Sequence, residues 1–147
     1  MRDSLACHCL PSFYSPTVVT TFGACPKRVL VLDNDKVVAE ATATLLSQLG
    51  YETQSEANPA KSIRRILDKE FDFLLIDYRM PGLNGLEVAQ ILRTMGSMIP
   101  VILCTSEANP FDTDLLQLLG ILGVIKKPFS IDKFNLAFTR ILHTSQN

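Results

Sequence analysis

Arg28-Val29-Leu30-Val31-Leu32-Asp33-Asn34-Asp35-Lys36 is the stretch on which the fold turns. Arg28–Leu32 reads as a continuous apolar run of strand length, as expected of a strand buried on both faces of a sheet. Asp35 then stands where a helix cap belongs. Residues 36–49 follow it with Ala41, Leu45, Leu46 and Leu49 at helical spacing, and Gly50 sits at the stop. Working outward, the same unit recurs. Tyr51–Gln54 reads as a strand, and Asn58-Pro59 opens a helix to about Glu70. Phe73–Ile76 is a strand, and Leu86–Met95 is a helix stopped by Gly96. Val101–Cys104 is a strand, and a helix near Thr113–Leu119 is stopped by Gly120. Val124–Lys126 and Ile131–His143 complete the set. Five strand-then-helix repeats predict an α/β fold: a doubly wound, parallel, five-stranded sheet with helices on both faces.

In such sheets functional groups gather at the C-terminal ends of the strands. Asp33, Asn34 and Asp35 follow the first strand and Asp77 follows the third. Thr105 and Ser106 follow the fourth, and Lys127-Pro128 follows the fifth. Each residue alone has a structural use. Asp35 can cap a helix, Thr105 or Ser106 can cap the next one, and Lys127 can be a solvated lysine. Together they bring acids, a hydroxyl and a cation to one edge. A carboxylate can attack phosphorus to give an acyl phosphate. A divalent cation and a lysine reduce the repulsion between the two anions, and Mg²⁺ is a hard ion that takes oxygen ligands. These parts predict Asp77 as nucleophile, Asp33 with its neighbours as metal site, Thr105 as the hydroxyl that bonds a phosphoryl oxygen, and Lys127 as the neutralising cation.

VLVLDND at 29–35, LLIDYRMPGLNG at 74–85, VILCTS at 101–106 and KKPF at 126–129 resemble the receiver domain of two-component response regulators, in order and spacing across nearly all of 27–147. The resemblance implies the flavodoxin-like (βα)5 topology. It implies that Asp77 accepts a phosphoryl group from a histidine kinase or a histidine phosphotransfer protein. It implies Mg²⁺ held by the acidic end of the first strand (Asp33, with Asn34), by Asp77 and by the backbone carbonyl of Arg79. It also implies that Thr105 and Lys127 sense and neutralise the phosphoryl group. Switching would then reorganise the face formed by helix four, strand five and helix five, a candidate surface for a homodimer or a downstream protein. The expected protein is no enzyme beyond self-phosphorylation from a donor and slow autodephosphorylation.

Two positions depart from the family pattern. The second of two adjacent acids after the first strand is here Asn34, which can ligate but carries no charge, so weaker Mg²⁺ binding is expected. The aromatic residue that often follows a glycine on strand five is here Val124, after Gly123. The stretch Leu115–Leu122 also lacks charge, which fits either a deeper core or an exposed docking face.

Composition bounds the rest. The chain has 147 residues, 47% hydrophobic and 20% charged, an ordinary globular balance. Its net charge of −1 argues against a nucleic-acid-wrapping surface. Residues 1–26 carry only Arg2 and Asp3 as charged side chains, but hold Cys7, Cys9 and Cys25. They read as a flexible leader before a receiver domain at 27–147 that acts alone, without an output domain. Pro11 and Pro16 interrupt any signal-peptide apolar stretch, and Cys7-His8-Cys9 lacks the second spaced pair of a metal site. No run reaches the ~20 apolar residues that span a bilayer, and four cysteines without framework spacing fit a reducing cytoplasm. Two rival functions are open. A pseudo-receiver would bind partners without being phosphorylated. A haloacid-dehalogenase-type phosphatase would use Asp33 as nucleophile and Asp35 as acid-base, with Asp132 as the sole candidate for its later acidic motif.

Overall fold

A computed structural model of the protein describes residues 27–68, 70–107, 111–128 and 130–145. The leader read at 1–26 lies outside them, with its cysteines. Strands β1 (Arg28–Leu32), β2 (Glu52–Glu56), β3 (Phe73–Asp77), β4 (Val101–Thr105) and β5 (Ile121–Lys126) alternate with helices α1 (Lys36–Gln48), α2 (Pro59–Leu67), α3 (Gly85–Thr94), α4 (Thr113–Leu118) and α5 (Ile131–Ser145). All strand pairs are parallel, in the order β2-β1-β3-β4-β5. The order reverses between β1 and β3, the position where open parallel sheets place functional groups at the strands' C-terminal ends.

The two-residue period of the strands divides the core. Leu30, Leu32, Leu74, Ile76, Val101 and Leu103 face one way, against Ile66 of α2, Val88, Ala89 and Leu92 of α3, and Leu119. Val29, Val31, Leu75, Ile102, Cys104 and Ile125 face the other, against Ala39, Ala43 and Leu46 of α1 and Phe134 and Phe138 of α5. In β1, β3 and β4 successive residues meet opposite helix layers, which requires continuous apolar runs, whereas the edge strand β2 is polar and partly exposed.

The helix starts follow the sequence closely. Asp35 accepts from Val37 N–H and Val38 N–H at 3.0 and 3.3 Å. Asn58 caps α2 with Pro59 at its first position. Asn84 and Glu87 form a reciprocal capping box on α3. Gly50, Gly96 and Gly120 follow helices with positive φ, as the stop signals require.

Several expectations change. Ala41 is exposed, and the buried face of α1 is Ala39, Thr42, Ala43 and Leu46. Helix α2 ends at Leu67 rather than near Glu70. Neither Thr105 nor Ser106 caps α4; Asp112 does, accepting from Asp114 N–H. The uncharged stretch Leu115–Leu122 is no single helix. Gly120 ends it, and Ile121 and Leu122 enter β5. Leu119 and Ile121 are buried while Leu118 is 76% exposed, so the stretch supplies both core and surface.

Candidate functional site

Each strand end delivers its side chain through local geometry. Asp33 directly follows β1, where its backbone N–H donates to Glu56 O at 3.2 Å. Its Oδ1 accepts from Asp35 N–H at 2.9 Å, which turns the chain into α1 and leaves Oδ2 for Lys127. Asp77 ends β3. The next residue is fixed on both sides, since Tyr78 N–H donates to Cys104 O and Tyr78 O accepts from Gly85 N–H, each at 2.8 Å. Gly85 is required at this turn. A Cβ there would lie 2.7 Å from Leu103 Cδ1 and 3.0 Å from Asp77 O, so only glycine lets α3 start this close to the strand end. Lys127 follows β5 and is anchored by its N–H to Thr105 O at 2.8 Å.

Three of the expected residues meet directly. Lys127 Nζ donates to Asp77 Oδ1 at 2.9 Å and to Asp33 Oδ2 at 3.0 Å, bridging positions 50 and 94 residues away. Both carboxylates are buried. Burial raises the Asp77 carboxyl above its ordinary value, and the hydrogen bond and charge of Lys127 offset only part of this. Burial alone would lower Lys127, but two carboxylates act on it, and the net shift is upward. The two shifts thus have different causes: burial dominates at Asp77, whereas at Lys127 the hydrogen bonds and charges of Asp77 and Asp33 outweigh burial.

Thr105 is buried beside this cluster, one residue past Cys104, which pairs in register with Asp77. Its Oγ1 accepts from Glu107 N–H at 3.0 Å. Cys104 turns to the α1–α5 layer, where burial pushes its thiol up to about 12. Val124 is half-buried on β5, against the opposite layer.

The donor set suits a hard divalent cation. Asp33 and Asp77 converge, Asn34 is exposed at the rim, and the Arg79 carbonyl accepts no backbone hydrogen bond among the described residues. Among those residues no group of three or more His, Cys, Asp or Glu side chains gathers as a metal cluster. Sequence reasoning missed Glu107. Its carboxylate pairs with Arg79, two residues beyond Asp77. No local signal marks it, since the two-residue offsets of Arg79 from Asp77 and Glu107 from Thr105 gain meaning only once β3 and β4 are paired.

The family model of the response regulator receiver domain matches residues 29–139. The chain belongs to this family. As a receiver domain it is 27% identical over 120 residues to the alkaline phosphatase synthesis transcriptional regulatory protein PhoP of Bacillus subtilis, covering 82% of this chain and 50% of that one. It is 30% identical over 109 residues to the CAI-1 autoinducer sensor kinase/phosphatase CqsS of Vibrio cholerae, covering 72% of this chain and 16% of that one. The chain thus spans half or less of these relatives. Among solved structures, chemotaxis protein CheY4 of Vibrio cholerae shares the fold, with a TM-score of 0.71, 22% identity, and 80% and 99% of the two chains covered. The response regulator TrrA of Thermotoga maritima, in a complex with Mg²⁺ and BeF, superposes with a TM-score of 0.67 at 26% identity, over 78% and 98% of the chains. No helix among the described residues is long and apolar enough to cross a membrane.

Proposed function

We propose that this receiver domain takes a phosphoryl group on Asp77 and passes the signal on by protein contact. The observation that supports this best is Lys127 bridging Asp33 and Asp77, two buried carboxylates from different strands. An Asp77 carboxylate oxygen attacks phosphorus, the new O–P bond forms, and the donor's bond to phosphorus breaks, P–N in a phosphohistidine or P–O in acetyl phosphate. The electron pair leaves with the donor group, as neutral imidazole whose other ring nitrogen carries the proton, or as acetate with no proton moved. Lys127 stays within reach of the phosphoryl oxygens and neutralises their charge, and the Thr105 hydroxyl can donate to one of them. Asp33, Asn34, Asp77 and the Arg79 carbonyl would hold Mg²⁺, which when bound supplies the second positive charge that the two carboxylates and the phosphoryl group need.

The phosphoryl source is a histidine kinase or a histidine phosphotransfer protein, in keeping with the response regulators and the sensor kinase it resembles. Its setting is a phosphorelay or two-component pathway in the cytoplasm. The receiving surface for a downstream protein, or for a second copy, is the α4–β5–α5 face. The domain itself is a signalling module rather than an enzyme with turnover.

The test is intact mass after incubation with Mg²⁺ and acetyl phosphate. A receiver gains one acid-stable, base-labile phosphoryl group, and Asp77→Asn gains none. Rapid donor turnover that depends on Asp33 would instead identify a phosphatase. Neither labelling nor turnover would identify a pseudo-receiver.

A further inference from the structure

One charge pair outside the Asp33–Asp77–Lys127 cluster joins the β3–α3 and β4–α4 loops beside the site. Arg79 lies two residues past Asp77 and Glu107 two residues past Thr105. Strands β3 and β4 pair with Asp77 opposite Cys104, so the two side chains leave neighbouring strands at nearly the same level. Arg79 Nε donates to Glu107 Oε2 at 2.6 Å, and Nη2 lies 2.5 Å from the same oxygen. The Glu107 N–H donates to Thr105 Oγ1. A continuous path therefore runs from the Thr105 hydroxyl through Glu107 to the Arg79 guanidinium. The Arg79 side chain is 71% exposed and that of Glu107 22%, so the pair is open on the arginine side, and the charge of Arg79 is felt at Asp77.

We infer that Glu107 is a built-in competitor for anions at Arg79: it holds the guanidinium while Asp77 is unmodified and gives it up to the phosphodonor. A phosphoryl group carries about −1.5 to −2 charge and three strong acceptor oxygens, against one charge on the carboxylate, so the guanidinium favours it once it is near. An exposed ion pair is weak, so the exchange meets little resistance. When Arg79 leaves, Glu107 loses its charge partner, and the loop that binds Thr105 Oγ1 is held by one contact fewer. This inference rests on phosphorylation of Asp77.

The experiment follows the initial rate of labelling of the full chain by acetyl phosphate with Mg²⁺ at low salt, over a range of donor concentrations. Wild type is compared with Glu107→Gln, Arg79→Gln and the double variant. Removing the competitor in Glu107→Gln lowers the half-saturating donor concentration about three- to fivefold and leaves the maximal rate unchanged, a change in keeping with an exposed charge pair. Arg79→Gln raises that concentration. The double variant matches Arg79→Gln, because Glu107 acts through Arg79. The differences shrink at about 0.5 M salt, where exposed charges are screened. An unchanged or raised half-saturating concentration in Glu107→Gln overturns the inference, as does an equal Glu107→Gln effect without Arg79. If wild type itself takes no label, phosphorylation of Asp77 is refuted and the exchange falls with it. If wild type is labelled and Glu107→Gln behaves identically, the exchange alone fails.

Discussion

At Asp77 the physical chemistry of a single carboxyl links stability to activity. Burial raises its pKa above the ordinary carboxylate value, and Lys127 does not restore it. A group that binds its proton more tightly folded than unfolded stabilises the fold below its unfolded pKa. That contribution is lost as pH rises through the folded value. At neutral pH an ionised Asp77 is therefore a net cost, of the kind a site tolerates for the proposed phosphoryl transfer. Asp77→Asn is expected to be more stable than wild type by about 1 kcal/mol at pH 7, a typical gain when a functional site is relaxed. Urea unfolding checks this, and a lower midpoint contradicts it. The same variant takes no label. At Asn34 the issue is charge count. Restoring a carboxylate with Asn34→Asp should tighten Mg²⁺ binding roughly three- to tenfold, since ligand charge sets affinity in oxygen sites. A Mg²⁺ titration showing equal affinity would sink the idea that Asn34 weakens the site. Asp33, Asp77 and Lys127 were legible one by one as polar residues ending apolar strands. The use of the Thr105 oxygen as acceptor for Glu107 N–H was not, because a hydroxyl two residues before a glutamate has no distinctive pattern.

Between elements, the contacts that matter join a helix end to a strand. Arg93, near the end of α3, donates to Leu119 O at 2.7 Å, Ser97 O at 2.8 Å and Ile99 O at 2.6 Å. One guanidinium thus satisfies three carbonyls where α3, α4 and the approach to β4 meet. A Cβ on Gly120 would fall 2.0 Å from its Nη2, so this junction also fixes the residue that stops α4. Arg93→Met leaves those carbonyls without their charged donor and should destabilise the protein by about 2–4 kcal/mol. Calorimetry or urea unfolding measures this, and a loss below about 0.5 kcal/mol would show that water replaces the guanidinium at no cost. Helix starts were readable because a cap acts over three residues. The partition of Leu115–Leu122 between α4 and β5 was not. A run of leucine and isoleucine satisfies both periods, and the pairing of Val101 with Ile121 decides where the strand begins.

Across the whole molecule, the Asp33–Asp77–Lys127 cluster ties the ends of β1, β3 and β5 into one electrostatic unit. The net rise in the Lys127 pKa means that the folded state holds its proton more tightly than the unfolded chain does. Its contribution is complete below the ordinary lysine value of 10.5 and drains as pH rises beyond it through the folded value. Thermal melts of wild type should therefore fall more steeply above about pH 10.5 than those of Lys127→Met. The Met variant should already be about 2–4 kcal/mol less stable at pH 7, because two buried carboxylates then face each other unscreened. Parallel alkaline slopes in the two proteins would contradict this.

The sequence by itself determined the five strand-helix repeats, the Asp35 and Asn58 caps, the glycine stops, and the membership of Asp33, Asp77, Thr105 and Lys127 in one strand-end set. All of these depend on neighbours within a few residues or on the two- and 3.6-residue periods. Only the tertiary structure decided that Lys127 reaches across β4 to both carboxylates, that Arg79 pairs with Glu107, and that Arg93 gathers three carbonyls. Those contacts join residues 26 to 94 positions apart in the chain, or sit at a loop whose path the packed strands set. Charge and reach alone allow many partners for a long flexible side chain, and only the packed sheet, by fixing which strand ends lie side by side, selects one.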